Sequence, residues 1–231
     1  MTTPLTLRGI SSMATRLVLQ DLADAYTEKT GVRIQIESVG GVDAAKRVAE
    51  GEAFDAVFLG SGAMKKLLDA GHLVAGSIVP LVNSATAIAV ASGQPHPDIS
   101  TEEALKAAVA AAPSLSYSTG PSGVALAALF ERWGLAEMLA PRLLTPPPGV
   151  PVGSLVARGE VALGFQQLSE LLHVDGIDIV GVMPQPVAIQ TIFSGGIATA
   201  STQPDAVRAL LDFMASPEAT EAKRLQGMDP A

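Results

Sequence analysis

The chain has 231 residues, of which 48% are hydrophobic, 16% charged and 4% aromatic, and its formal net charge is −8. A chain of this length and composition folds around a substantial core, which excludes disorder, and its acidity excludes the basic surface that nucleic-acid binding needs. It contains no cysteine, so disulfides, thiolate metal sites and cysteine nucleophiles are also excluded.

The first seventy residues alternate short strands with helical segments. The predicted strands span residues 5–8, 32–36 and 56–59. The predicted helices follow them, the first with Ser11 or Ser12 as its N-cap and a stop at Thr30-Gly31, the others over about 43–50 and 63–70. This alternation predicts a parallel sheet with helical crossovers. The three strand-to-helix turns, at 9–12, 40–42 and 60–62, fall at the carboxyl ends of strands, where open α/β sheets bind their ligands.

The remaining sequence repeats this rhythm. Further strands are predicted at 85–91, 115–117, 162–165, 177–180 and 187–193. Further helices are predicted at 101–111, 124–133, 153–158, 204–215 and 217–225. Residues 146–149 form a stiff polyproline segment.

The turns carry hydroxyls and glycines that suit a small anion. Ser11 and Ser12 open the first helix, and hydroxyls with unpaired N–H groups at a helix start bind anions without a cation. Turn 118–123 contributes Ser118, Thr119 and Ser122 beside two glycines. Gly41 and Ser61 occupy the other two turns. Ordinary capping is the alternative interpretation of Ser11 and Ser12 and of the turn at 118–123.

Three further side chains are candidate ligand contacts. Gln166 and Gln167 end a strand, and because strand side chains alternate, one should face the ligand and the other should face away. Surface glutamines are the alternative interpretation. Arg8, at the predicted end of the first strand, could bind a carboxylate through its guanidinium, although a surface position or an acidic partner is slightly favoured.

No catalytic or cofactor signature is legible from spacing. His72, His96 and His173 lack metal-ligand spacing, and there is no Ser/His/Asp pattern, P-loop or dinucleotide fingerprint. We therefore expect neither a metal nor another cofactor.

The order of short motifs resembles the molybdate-binding-protein family of ABC transporters along almost the whole chain. The matching segments are residues 10–12 (ISS), 25–32 (AYTEKTGV), 53–59 (AFDAVFL), 155–160 (LVARGE) and 215–219 (ASPEA). The resemblance implies an α/β protein of the type II periplasmic-binding-protein fold, each lobe a mainly parallel sheet flanked by helices. It also implies a ligand cleft between two lobes, the first of residues 1–83 with 194–231, which contains both chain ends, and the second of residues 84–193.

The family's ligand positions match only in part. Its first serine corresponds to Ser11 or Ser12, but its Ser-rich second turn is Gly40-Gly41 here and its oxyanion-binding Tyr is Gln167. These differences imply a ligand other than molybdate. The start GISSMATR at residues 9–16 is similar to the aconitate isomerase branch of the superfamily, whose members shift a proton between trans- and cis-aconitate without a cofactor.

Two functions follow from the resemblance. We favour a binding protein for a small oxyanion or a di- or tricarboxylate, a monomer with an ABC permease as its partner if it is exported. The alternative is an aconitate isomerase, which needs a general base. Glu170 and His173 are the nearest ionisable side chains, and a plain helix-face position is favoured for both. No run of residues is apolar enough to enter a membrane. Residues 1–8 resemble no signal peptide, so we expect a cytoplasmic protein, or a periplasmic one if a signal has been removed.

Overall fold

The computed structural model describes residues 5–147 and 149–231. The first four residues of the segment inspected for a signal peptide and Pro148 of the predicted polyproline segment lie outside the described residues. The chain divides into two compact units, which we call unit 1 (up to Asn83, together with Ile192–Ala231) and unit 2 (Ser84–Thr191). The sequence prediction set these boundaries after residues 83 and 193.

The elements alternate along the chain. The strands are β1 (Thr6–Ser12), β2 (Arg33–Val39), β3 (Ala56–Gly60), β4 (Val79–Ala91), β5 (Leu115–Tyr117), β6 (Leu163–Gln167), β7 (Ile177–Val182), β8 (Gln190–Ile197) and β9 (Met228–Pro230). The helices are α1 (Arg16–Thr30), α2 (Gly41–Ala49), α3 (Ser61–Asp69), α4 (Glu102–Ala111), α5 (Pro121–Arg132), α6 (Ala136–Leu139), α7 (Val152–Ala157), α8 (Leu168–Leu171), α9 (Pro204–Ala215) and α10 (Thr220–Leu225). Among the described helices, none combines the length and apolar character that a membrane span requires.

In unit 1, β1 lies between β2 and β3 and pairs with both in parallel, and β8 runs antiparallel on the far side of β3. Helices cover both faces of this sheet. Leu7 and Phe58 pack with α1 and α9 on one face, whereas Ile10 and Val57 pack with α2 and α3 on the other. This two-sided burial explains why β3 is a continuous apolar run that does not alternate with polar residues.

The first helix ends as predicted but starts later. Gly31 terminates α1 with φ of 75°, a conformation that favours glycine. The predicted N-cap at Ser11 or Ser12 is wrong: β1 continues through Ser12, a 3₁₀ turn at Met13–Thr15 follows, and Ser12 makes no side-chain capping bond. The two serines therefore belong to the strand end.

In unit 2, β4 pairs antiparallel with β6 and with β7, and β5 pairs with β6 in parallel. Phe130 of α5 packs against Phe165 of β6, with ring centroids 6.0 Å apart, on one face of the sheet. On the other face, α7 lies so close to β6 that a Cβ at Gly164 would come within 2.4 Å of Val156 Cγ2. Glycine at this position lets helix and strand approach closely.

Candidate functional site

Polar residues gather where the parallel strands of unit 1 end. β1, β2 and β3 finish at Ser12, Val39 and Gly60, and α2 and α3 begin at the next or next-but-one residue. Because the carboxyl ends of parallel strands meet at one edge of a sheet, this edge collects the side chains predicted separately from the turns. We call it the serine edge. It consists of Ser11, Ser12, Ser38, Gly41 and Ser61.

The centre of the serine edge is a hydroxyl pair. Ser11 Oγ lies 2.7 Å from Ser38 Oγ, and the two residues face each other in the register of β1 and β2. Ser11 is fully buried, and Gly41 lies against Ser12, since a Cβ on Gly41 would be 3.6 Å from Ser12 Cβ. Ser38 was not predicted, although it supplies a second hydroxyl just before the turn at Gly40-Gly41, where the sequence suggested that one had been lost.

Ser61 is held by β8. Its Oγ lies 2.9 Å from Ser194 Oγ and donates to the carbonyl oxygen of Ile192. Gly40 and Gly60 precede α2 and α3, so neither of these helix starts has a side-chain cap. Their first N–H groups remain available as donors. Hydroxyls beside such helix starts form an anion-binding surface that needs no cation.

Arg8 is not brought to the serine edge. Its backbone N–H donates to Asp55 Oδ2 and its Nη1 donates to the carbonyl oxygen of Ala53, while the guanidinium lies 5.6 Å from the centre of the Phe54 ring. Residues 53–55 precede β3, so these contacts belong to the amino end of the sheet. Arg8 therefore has partners at the opposite edge from the serines, and we leave it out of the site.

A second polar set occupies the carboxyl ends of β5 and β6 in unit 2. We call it the amide edge; it consists of Ser118, Thr119, Ser122, Gln166, Gln167 and Glu170. Ser118 Oγ lies 3.0 Å from Ser122 Oγ across the turn, whereas Thr119 is exposed. The turn is tight, because a Cβ at Gly123 would lie 1.6 Å from the carbonyl oxygen of Ser118.

The two glutamines have separate partners. Gln167 Nε2 donates to Thr191 Oγ1 over 2.9 Å, and the buried Gln167 Oε1 has no hydrogen-bond partner among the described residues. Buried polar atoms are normally hydrogen bonded, so this oxygen is free to accept a hydrogen bond from a ligand group or a water. Gln166 is instead occupied within the protein, because its Oε1 accepts from the N–H of Gly153 over 3.0 Å.

Gln166 also reaches the only carboxylate of the amide edge. Its Nε2 donates to Glu170 Oε1 over 3.0 Å. Burial raises the pKa of Glu170 to about 7, and the hydrogen bond from Gln166 acts in the opposite direction. Within the described ranges, no group of three or more His, Cys, Asp or Glu side chains is arranged to hold a metal ion. With a pKa near neutral, the Glu170 carboxyl can accept or release a proton at this edge.

Residues 7–229 match the model of the family described as bacterial extracellular solute-binding protein. The chain belongs to this family. It is also 40% identical over 233 residues to an aconitate isomerase from a Pseudomonas species, a match that covers 97% of this chain and 88% of that protein.

Solved structures of this kind share the fold. The periplasmic molybdate-binding protein of Azotobacter vinelandii matches with a TM-score of 0.79 at 18% identity, over 96% of this chain and 98% of its own. The sulfate-binding protein of Mycobacterium tuberculosis matches with a TM-score of 0.80 at 14% identity, over 98% of this chain and 87% of its own. The predicted type II periplasmic-binding-protein fold is confirmed.

Proposed function

We propose that this protein binds a small polycarboxylate of the aconitate type and isomerises it by moving one proton. The observation that carries the proposal is the 40% identity to an aconitate isomerase along almost the entire chain. The molybdate- and sulfate-binding structures share less than half that identity, so their likeness supports the fold and not their ligands.

The polar sets suit carboxylates. In unit 1 the Ser11–Ser38 pair can direct one O–H outward, since the other O–H joins the two oxygens, and the N–H groups at the starts of α2 and α3 are further donors for one carboxylate. Arg16, the first residue of α1, is exposed and forms no ion pair with any described residue, so its guanidinium is available to a second. In unit 2, taken by itself, the Gln167 amide, whose Oε1 is unpaired among the described residues, is a candidate contact for a carboxylate or a water.

The reaction needs only a group that accepts and returns a proton. A base removes a proton from the methylene carbon between a carboxylate and the double bond. The electron pair left behind forms a new double bond while the old one opens, and the proton is returned at the far carbon. Because atoms and electrons balance without an oxidant or a reductant, this proton shift requires no redox cofactor.

The test combines binding and turnover. At about 100 times its dissociation constant, a ligand adds roughly 2.7 kcal/mol to the free energy of unfolding, which a thermal-shift assay detects readily. We expect cis- and trans-aconitate to stabilise the protein and proton NMR to show conversion of one into the other. Stabilisation by molybdate, tungstate or sulfate, with no response to aconitate, would overturn the proposal.

A second candidate is binding without chemistry, favoured by the match to the extracellular solute-binding family. In that case aconitate or another polycarboxylate stabilises the protein, but neither isomer is converted and no deuterium enters the bound ligand in D₂O. An ABC permease is then the expected partner.

A further inference from the structure

Glu170 differs from Glu160 and Asp178, two other carboxylates of unit 2, in its hydrogen-bond partner. Glu160 is paired with Arg158, and Asp178 lies 3.5 Å from His96. A neighbouring cation favours the charged form of a carboxylate and makes it a weak base. Glu170 is bonded to the neutral amide of Gln166 instead.

Two successive hydrogen bonds connect the Glu170 carboxylate to the backbone. The Gly153 N–H at the start of α7 holds Gln166 Oε1, and Gln166 Nε2 holds Glu170 Oε1, each over 3.0 Å. The second oxygen, Oε2, has no hydrogen-bond partner among the described residues, and the side chain is only partly buried. Oε1 therefore orients the carboxylate, and Oε2 is available to accept a proton.

Glu170 is also placed beside the proposed ligand contacts. It lies in α8, which begins directly after Gln167 at the carboxyl end of β6. The neighbouring parallel strand β5 ends at the turn that carries Ser118 and Ser122. A general base must lie within hydrogen-bond reach of the proton that it removes. Of the residues in the amide edge, only Glu170 is ionisable near neutral pH.

We infer that Glu170 is the catalytic residue that takes the proton from the substrate and returns it to the other end of the shifted double bond. The inference rests on the proposed function. In the first step the Glu170 carboxylate accepts the methylene proton and becomes a neutral carboxyl, while the electron pair moves into the new double bond. In the second step the carboxyl donates that proton to the far carbon and is a carboxylate again.

The environment of Glu170 suits both halves of this cycle. Burial raises its pKa to about 7, so the neutral and charged forms are close in free energy at neutral pH, which is where a general acid–base catalyst is most effective. Burial is the cause of this rise and the Gln166 amide opposes it, and no charged side chain in the described ranges contributes to the shift. The nearest ionisable neighbour along the chain is His173.

The test is Glu170→Gln in the full chain. The glutamine keeps an oxygen that accepts from Gln166 Nε2, so we expect the variant to fold and to bind trans-aconitate within about threefold of the unsubstituted protein. Turnover and deuterium incorporation in D₂O should fall by a factor of 10² or more, the contribution typical of a general base. Glu137→Gln, on the exposed surface of unit 2, is the matched control and should change neither quantity.

The outcomes separate the inference from the function on which it rests. If Glu170→Gln converts aconitate within tenfold of the unsubstituted rate, Glu170 is not the base. If the unsubstituted protein converts no aconitate, the proposed function is overturned and this inference with it. Glu170→Asp keeps a carboxylate one methylene shorter and should recover part of the activity lost in Glu170→Gln, provided that both variants show the native circular dichroism.

Gln166 supplies an independent readout as a positioning residue. Its amide lowers the pKa of Glu170, so Gln166→Met should raise that pKa and move the acid limb of the kcat profile to higher pH. A purely structural role would reduce kcat by the same factor at every pH. An unshifted profile in an active Gln166→Met variant would overturn the inference.

Discussion

The serine edge of unit 1 and the amide edge of unit 2 are built in the same way but differ in what they can do. Both lie at the carboxyl ends of parallel strands and both contain a pair of bonded hydroxyls, Ser11 with Ser38 and Ser118 with Ser122. The serine edge offers hydroxyls and N–H groups, none of which exchanges protons near pH 7. The amide edge adds Glu170, whose pKa is about 7. The comparison leads us to predict hydrogen-bond donors at the serine edge and a proton-transfer group at the amide edge.

The largest effect should come from breaking the amide edge at its backbone. A Cβ at position 123 would lie 1.6 Å from the carbonyl oxygen of Ser118, so Gly123→Ala cannot be accommodated without moving the turn. We expect the free energy of unfolding to fall by about 3 kcal/mol or more, seen as a Tm lower by roughly 10 °C. In the same turn, Gly120 has φ of −82° and open space around its ideal Cβ. Gly120→Ala is therefore the control, and an equal loss in both variants would contradict the assigned geometry.

The second prediction concerns the stability cost of Glu170. Its folded pKa of about 7 exceeds its usual value near 4.5, so the folded protein holds a proton that the unfolded chain has released between these pH values. The free energy of unfolding therefore falls as pH rises from about 4.5 to 7 and stays lower above that. Glutamine does not ionise, so in Glu170→Gln this decrease in the free energy of unfolding should be absent. We expect it to be more stable than the unsubstituted protein by up to about 3 kcal/mol at pH 8, and by little at pH 4.5.

Urea unfolding at several pH values measures this difference. Glu137→Gln, exposed on the same unit, is again the matched control. A variant that gains stability while it loses turnover would show that the carboxylate is retained for function, since functional sites often reduce stability. Equal stability of Glu170→Gln and the unsubstituted protein at pH 8 would mean that the carboxylate is well solvated.

The third prediction tests the serine edge as a binding surface. Ser11→Ala and Ser38→Ala each remove one member of the hydroxyl pair and should weaken trans-aconitate binding about tenfold, or about 1.4 kcal/mol. Because the two hydroxyls contact each other, the double variant should lose less than the product of the single losses. Isothermal titration calorimetry measures all three, and unchanged affinity in the single variants would remove the serine edge from the site.

A matched control exists within the same unit. Ser201 Oγ donates to Asp55 Oδ1 over 2.7 Å, so Ser201→Ala also removes a bonded hydroxyl, but one associated with the segment that precedes β3. It should leave the affinity for trans-aconitate unchanged. A tenfold loss in this variant would show that the effects at Ser11 and Ser38 arise from general destabilisation.

The sequence predicted which strands and helices form better than it predicted where they begin and end. The candidate site consists of residues at strand ends, so these errors changed its predicted membership. The helix stop at Gly31 and the alternation of strands and helices were predicted because glycine conformation and hydrophobic periodicity are local signals, whereas the family fold was implied by the resemblance. β1 was predicted to end at Arg8, which put that side chain at the ligand edge, but the strand continues to Ser12. The Ser11–Ser38 pair depends on the register of two strands, which turn residues alone do not reveal.

Two other features depend on tertiary packing. Ser194 reaches Ser61 from β8, 133 residues further along the chain, and no local pattern links the two. Glu170 was a candidate base by position only, with a plain helix face as the favoured interpretation. Its burial and its bond to Gln166 arise because α8 follows β6 directly and α7 supplies the Gly153 N–H. Sequence spacing does not contain that information.

The smallest effect should come from Arg8→Gln. Arg8 and Ser11 are three residues apart on β1, which is about 10 Å along a strand, and the Arg8 guanidinium contacts the carbonyl oxygen of Ala53 and the ring of Phe54. Loss of these exposed contacts should cost about 0.5 kcal/mol of stability. At 0.15 M salt the screening length is about 8 Å, so we expect trans-aconitate affinity to change by less than about twofold, with a slightly larger decrease at 0.01 M salt. A tenfold loss of affinity that does not depend on salt would instead make Arg8 a direct ligand contact and extend the site beyond the carboxyl ends of the strands.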